Sequence, residues 1–128
     1  MKTLEMRKIL IEEKYLNKWI DGTWSWNEDG SLDVKGNIDI LTYQVNKLPF
    51  KFNKVTGYFD CSGCGLQTLE NCPEEVTGTF FCDGNKLRSL EHAPKKVNIF
   101  QCQRNPGRFT KEDVKKVCIA GEYIYNDL

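Results

Sequence analysis

The sequence predicts an α+β fold in which short parallel β coils stack into a solenoid, with helical caps at both ends. Three observations predict it. A motif recurs at a spacing of 21 residues. Each copy opens with apolar residues alternating with polar ones, the period-2 mark of a strand. Both ends of the chain carry helix-forming segments where further copies would stand. A coil of this size cannot bury its own apolar face, so several must stack and the end coils must be covered.

The spacing is read from several columns at once. Leu48, Leu69 and Leu90 stand 21 residues apart, as do Val55, Val76 and Val97. Leu66 and Leu87, Pro73 and Pro94, and Cys61 and Cys82 keep the same interval. Cys102 follows Cys82 at 20, so one residue is lost between Val97 and Cys102. Phe59, Phe80 and Phe100 each precede those cysteines by two positions. An earlier, degenerate copy places Ile38, Ile40, Val45 and Leu48 in the columns of Phe59, Cys61, Leu66 and Leu69. The best copy runs from Val76 through Phe80, Cys82, Asn85, Leu87 and Leu90 to Pro94. Its centre, apolar-x-apolar-x-x-Asn-x-Leu-x-x-Leu, is the leucine-rich-repeat signature, in which the turn column holds Asn or Cys. Here that column holds Cys64, Asn85 and Asn105. The Asn side chain satisfies backbone groups in the turn, and the two leucines return to the core.

The predicted organisation is therefore an N-terminal helix and β-hairpin over residues 1–36, leucine-rich-repeat coils over 37–107, and a C-terminal helical cap over 108–128. Residues 3–20 read as a helix with Met6, Ile9, Leu10, Leu16 and Trp19 as core contacts. Asp29-Gly30 between the alternating segments Trp24–Trp26 and Leu32–Val34 signals a hairpin. At the other end Thr110 and Asp113 form a capping-box pattern. The helix they open carries Val114, Val117 and Cys118 at helical spacing, Gly121 is expected to stop it, and Tyr123-Ile124-Tyr125 is expected to add a short extended piece.

Composition narrows the function classes. Eighteen basic and 18 acidic residues cancel, which does not favour a nucleic-acid binder, since such proteins show a basic excess or face. No stretch reaches the ~20 apolar residues that span a bilayer. The first residues lack the apolar run and small-residue cleavage site of a secretory signal, so a cytoplasmic location without membrane association is expected. A reducing cytosol argues against a disulfide framework for the six cysteines. Three of them, Cys61, Cys82 and Cys102, fall in an inward column where a thiol acts as a small hydrophobe. Cys61-Ser-Gly-Cys64 is a CxxC, but no second close pair completes a zinc site and no βαβ pattern supports redox chemistry. His92, the only histidine, sits in the outer connection at the place of Asn71, and without it Ser-His-Asp or Cys-His catalysis has no base. No catalytic residue, metal or cofactor is expected. The glycines recur with the repeat and match no phosphate-loop pattern. Lys86, Arg88, Lys95 and Lys96 read as a solvated basic strip.

The outward side of the stacked strands, the concave face of this architecture, is the informative surface. Its columns read Asn37, Tyr58, Thr79, Ile99; then Asp39, Asp60, Phe81, Gln101; then Leu41, Ser62, Asp83, Gln103. Tyr58, Phe81 and Ile99 are apolar where solvent is expected, and Asp39, Asp60 and Asp83 surround them. Aromatic groups ringed by polar ones suit a binding hot spot, and the acidic ring suits a basic surface on a protein partner. A non-enzymatic protein-binding module is thus expected. The alternatives are a cysteine-based zinc or redox protein and a nucleic-acid-associated protein.

With these residues in place, the chain resembles a family of small leucine-rich-repeat proteins of large tailed (T4-like) bacteriophages. The likeness rests on Asp29-Gly30-Ser31-Leu32-Asp33-Val34 with Gly36-Asn37, on Leu48-Pro49-Phe50-Lys51-Phe52, and on the repeated unit at 64–73 and 85–94. It spans roughly residues 27–118. The resemblance implies an interaction scaffold in the host-cell cytoplasm. It also implies a host protein as target, an antiviral defence component such as a CRISPR effector being one class, bound so as to modulate or inhibit it. The family brings no catalytic residues, and the oligomeric state stays open.

Overall fold

The protein, for which a computed structural model describes residues 3–40 and 44–124, is a parallel β-solenoid of about four turns with a short N-terminal helix. Helix α1 (Leu4–Ile11) begins at Thr3, whose hydroxyl accepts from the Met6 N–H at 3.1 Å. It runs on through one wider, π-type turn (Glu12–Leu16) into the short α2 (Asn17–Trp19). Leu16 and Trp19 are buried as expected, but Met6, Ile9 and Leu10 are 51%, 51% and 42% exposed. The reason lies on the side of the helix that meets the fold. There Lys8 stands over the Trp26 ring at 5.7 Å. Glu12 accepts the indole N–H groups of Trp24 and Trp26 at 2.7 and 3.2 Å. Apart from Ile11, which packs part-buried against the core, polar side chains hold this helix on, and Leu4, Met6, Ile9 and Leu10 turn outward.

Strands β1 (Ile20–Trp26) and β2 (Leu32–Asp39) form the predicted hairpin, pairing Trp24 with Val34 and Trp26 with Leu32. Gly30 supplies the left-handed residue of the turn with φ 88°. β2 serves twice, since its other edge is the first rung of the parallel stack. The later rungs are β3 (Phe52–Thr56) with β4 (Phe59–Asp60), then β5 (Glu75–Phe81), β6 (Lys96–Gln101) and β7 (Ile119–Ile124). All pair in parallel from β2 onward, giving a seven-stranded sheet. The repeat columns become hydrogen-bonded register: Val34, Val55, Val76, Val97 and Ala120 in one line, and Ile38, Phe59, Phe80, Phe100 and Tyr123 in another.

The core is the inner side of these lines. Phe52, Phe59, Phe80 and Phe100 are fully buried, with successive ring centroids 5.0, 5.9 and 5.2 Å apart. Behind them lie Leu48, Leu66, Leu69, Leu87 and Leu90, all buried. The residue lost before Cys102 is a β-bulge. Val76 pairs with Val97 and Thr79 with Ile99, so β5 carries one residue more than β6. In the earlier rungs the extra position is Gly36, Gly57 or Gly78, and a methyl group on Gly57 would sit 2.1 Å from the Gly36 carbonyl oxygen. These backbones approach too closely for any side chain.

The C-terminal segment departs from expectation. Thr110 and Asp113 do form a capping box, but α3 (Lys111–Lys115) is one short turn, and Val117 and Cys118 lie beyond its end. Gly121 does not stop the helix; it lies within β7, where its bare Cα passes the Asn98 carbonyl. The Ile119 N–H donates to the Lys95 carbonyl at 2.9 Å and draws the chain into the sheet. Sheet pairing outweighs a helix only five residues long.

The outer connections contain two non-glycine residues at left-handed φ, Asn71 (75°) and His92 (70°). The Asn71 side chain offsets its strain by donating to the Leu48 carbonyl at 2.9 Å. His92 has a half-exposed side chain and only a 3.8 Å approach to Glu91. His92→Gly is therefore expected to stabilise the fold by about 0.5–1 kcal/mol, seen as a higher urea midpoint at unchanged slope. A fall in the midpoint would contradict this account of the turn. Among the described residues no helix is long and apolar enough to cross a membrane.

Candidate functional site

The outward columns of the sheet come together much as the spacing requires. Asp39, Asp60, Phe81, Gln101 and Ile124 occupy one line across the rungs. Thr79, Ile99 and Glu122 form the adjoining line. Tyr58, 36% exposed, meets Phe81 edge to face, with ring centroids 6.1 Å apart at 83°. Such a pair holds both rings in place before anything binds. The Tyr58 N–H donates to the Asn37 side-chain oxygen at 2.9 Å, which anchors the interruption between β3 and β4. Asp60 accepts the Ser62 N–H at 2.9 Å, and the turn after the strand thus fixes the carboxylate beside Phe81. Ile99, Gln101 and Phe81 are half-buried, and Asp39 is exposed.

Asp83 is a correction. It was expected to add charge to this face, but it is 5% exposed. Its carboxylate accepts from the Gln101 side-chain amide and from the Gln103 N–H, the latter at 2.5 Å. β5 ends at Phe81, so Asp83 belongs to the turn, where its oxygens cap the neighbouring coil instead of facing solvent. The acidic character of the face rests on Asp39 and Asp60, joined by Glu122. Leu41 lies outside the described residues.

Three contributors were not assigned to this face from the sequence. Glu122 and Ile124 extend the two lines onto β7, but α3 interrupts the spacing that would have revealed them. Arg104 joins Asp60, Ser62, Phe81, Asp83 and Gln101 around a shallow depression of about 440 Å³. A signal for Arg104 did exist. It shares a column with Gly63 and Gly84, and all three take left-handed φ, at 57°, 66° and 62°.

The cysteines supply no comparable site. All six are free and buried. Cys61, Cys82 and Cys102 each aim Sγ at a carbonyl of the next rung, Phe81 at 3.2 Å, Gln101 at 3.5 Å and Ile124 at 3.9 Å. Burial, with Cys72 alongside, holds the Cys61 thiol well above its ordinary range, and burial does the same to Cys82. Burial also pushes Cys102 to about 12 and Cys118 to about 11. A thiol that resists ionisation is a poor nucleophile and a poor metal ligand. Cys64 of the CxxC donates instead to the Ile40 carbonyl at 2.8 Å. Among the described residues, no group of three His, Cys, Asp or Glu is placed to hold a metal ion. His92 stands exposed on the outer connection, with Glu91 at 3.8 Å. Lys86, Arg88, Lys95 and Lys96 are exposed.

Comparison of the chain with protein-family models, with curated proteins and with solved structures gives no match.

Proposed function

We propose that this chain is a non-enzymatic protein-binding module of leucine-rich-repeat type, and that the outward face of its parallel sheet holds a basic surface of a protein partner. The carrying observation is the solvent-facing Tyr58–Phe81 pair with Asp60 fixed beside it. Rigid aromatics next to carboxylates form the centre of a hot spot, where apolar burial gives affinity and charge gives orientation and rate. The repeat type is supported by the turn asparagines, Asn85 and Asn105, which bridge successive coils through their side-chain amides. Following the resemblance, the partner is a host protein, an antiviral effector being the favoured class, and binding in the host cytoplasm blocks or modulates it.

The test is affinity capture from bacteria expressing the chain, compared with a Tyr58→Ala, Phe81→Ala double variant. A stoichiometric protein should be captured by the native chain, and the variant should lose at least about 100-fold in affinity. Its melting temperature should stay within a few degrees, because neither ring belongs to the buried stack. Undiminished capture would remove this face from consideration. Co-purifying zinc or nucleic acid in place of a protein would favour the alternative classes.

A further inference from the structure

Helix α1 has no buried residue. Leu4, Met6, Ile9 and Leu10 of this one helix are 60%, 51%, 51% and 42% exposed, while among the described residues the only other large hydrophobics so exposed are Tyr58 and Ile119. Beside it runs an open groove of about 700 Å³, lined by Arg7, Leu10, Ile11, Glu13, Lys14 and Tyr15. A soluble helix normally turns its apolar stripe to the core. Here Lys8, Ile11 and Glu12 take the inner side, and Leu4, Met6, Ile9 and Leu10 stay exposed. An exposed apolar patch of this kind, rimmed by charge, marks an interaction surface.

The order of the charges points to the occupant. Arg7 stands three residues before Leu10 and Glu13 three residues after it, both on the rim of the same groove. Neither forms an ion pair among the described residues. Two copies laid antiparallel about Leu10 bring Arg7 of each against Glu13 of the other, twice over by symmetry. The same pairing lays Met6 along the aliphatic stem of Lys14. A twofold arrangement needs a self-complementary patch, and a charge pair placed symmetrically about an apolar centre provides one.

We infer that α1 is a homodimerisation element: two copies of this chain associate through antiparallel α1 helices centred on Leu10, with reciprocal Arg7–Glu13 pairs. The pairing uses no residue of the outward sheet face and stands independently of it. One face of an eight-residue helix is a small contact beside the ~800 Å² per partner of a standard interface, so the dimer is a weak one that forms with rising concentration.

Light scattering coupled to size exclusion, on the full chain from low to high micromolar concentration, tests it. The native mass should rise toward twice the monomer mass. Leu10→Glu and Arg7→Glu should each remain monomeric throughout, with melting temperatures near that of the native chain. Arg7→Glu combined with Glu13→Arg should dimerise again, because the pair is reversed rather than lost. A native chain that stays monomeric overturns the proposal, as does a dimer indifferent to Leu10→Glu or a charge-reversed variant that fails to recover. Leu10-dependent binding of the monomer to anionic lipid vesicles would assign the helix to a membrane surface instead.

Discussion

Replacing Asn85 with alanine is expected to lower the stability of the fold by about 4 kcal/mol. The side chain is 6% exposed and spends all its hydrogen-bonding capacity on backbone. Its oxygen accepts the N–H groups of Cys64 and Leu66, both at 3.0 Å, while its amide donates to the carbonyls of Cys61 at 2.9 Å and Cys82 at 3.1 Å. Alanine strands two buried N–H donors, at roughly 1–3 kcal/mol each, and removes two further bonds. Domains of this kind are stable by only about 5–15 kcal/mol. A fall of about 15 °C in melting temperature should therefore follow, at the few degrees per kcal/mol usual for this size. Asn85→Cys makes a graded control. Cys64 occupies the same column in the preceding coil, where its thiol donates to the Ile40 carbonyl but offers no amide oxygen to accept backbone N–H groups. The cysteine variant should retain a donor, lose the acceptor, and fall between native and alanine. Equal stability of the alanine variant would show that water or a backbone shift satisfies the turn.

Phe80→Ala should cost about as much, by a different route. Phe80 is fully buried at the middle of the ring stack, 5.9 Å from Phe59 and 5.2 Å from Phe100. Removing the ring loses its transfer free energy and leaves a cavity that hydrogen-bonded rungs on both sides cannot close, a loss of about 3–5 kcal/mol. Phe80→Leu, which keeps most of the volume, should cost about 1.5 kcal/mol. Urea unfolding with an unchanged slope is the appropriate reading. The contrast with Phe81 is sharp. Adjacent phenylalanines on opposite sides of one strand should separate stability from binding, the first variant unfolding early and the second failing only with a partner present.

What was legible in the sequence was whatever repeats. The valine, phenylalanine and leucine columns became register lines because identical spacing forces identical placement along stacked rungs. The line Asp39–Asp60–Phe81–Gln101 followed for the same reason. What was missed breaks the repeat. The single-residue loss at Asn98 marks a bulge left out of β6. β7 follows a helical insertion: the extended piece expected from Tyr123 onward overlaps its end, but the helix signals of Val114, Val117 and Cys118 and the expected stop at Gly121 masked its start at Ile119, which β6 makes favourable. The Asp83 column position suggested solvent, but it falls after the strand ends and the alternation no longer applies. At the N-terminus, apolar periodicity placed a helix over residues 3–20, which the fold realises as Leu4–Trp19 with one π-type turn; Leu16 and Trp19 face inward as expected, but Met6, Ile9 and Leu10 do not. The two tryptophans drew Lys8 and Glu12 to that side instead, a tertiary preference that no local pattern records.

The turn asparagines also give the molecule a direction. Asn85 completes the hydrogen bonding of residues 61–66, and Asn105 that of Leu87 and Cys82. Each coil is thus finished by a side chain delivered about 20 residues later. On a chain emerging from the ribosome, every coil stays provisional until its successor arrives. The growing solenoid consolidates from its N-terminal end, always one coil behind synthesis.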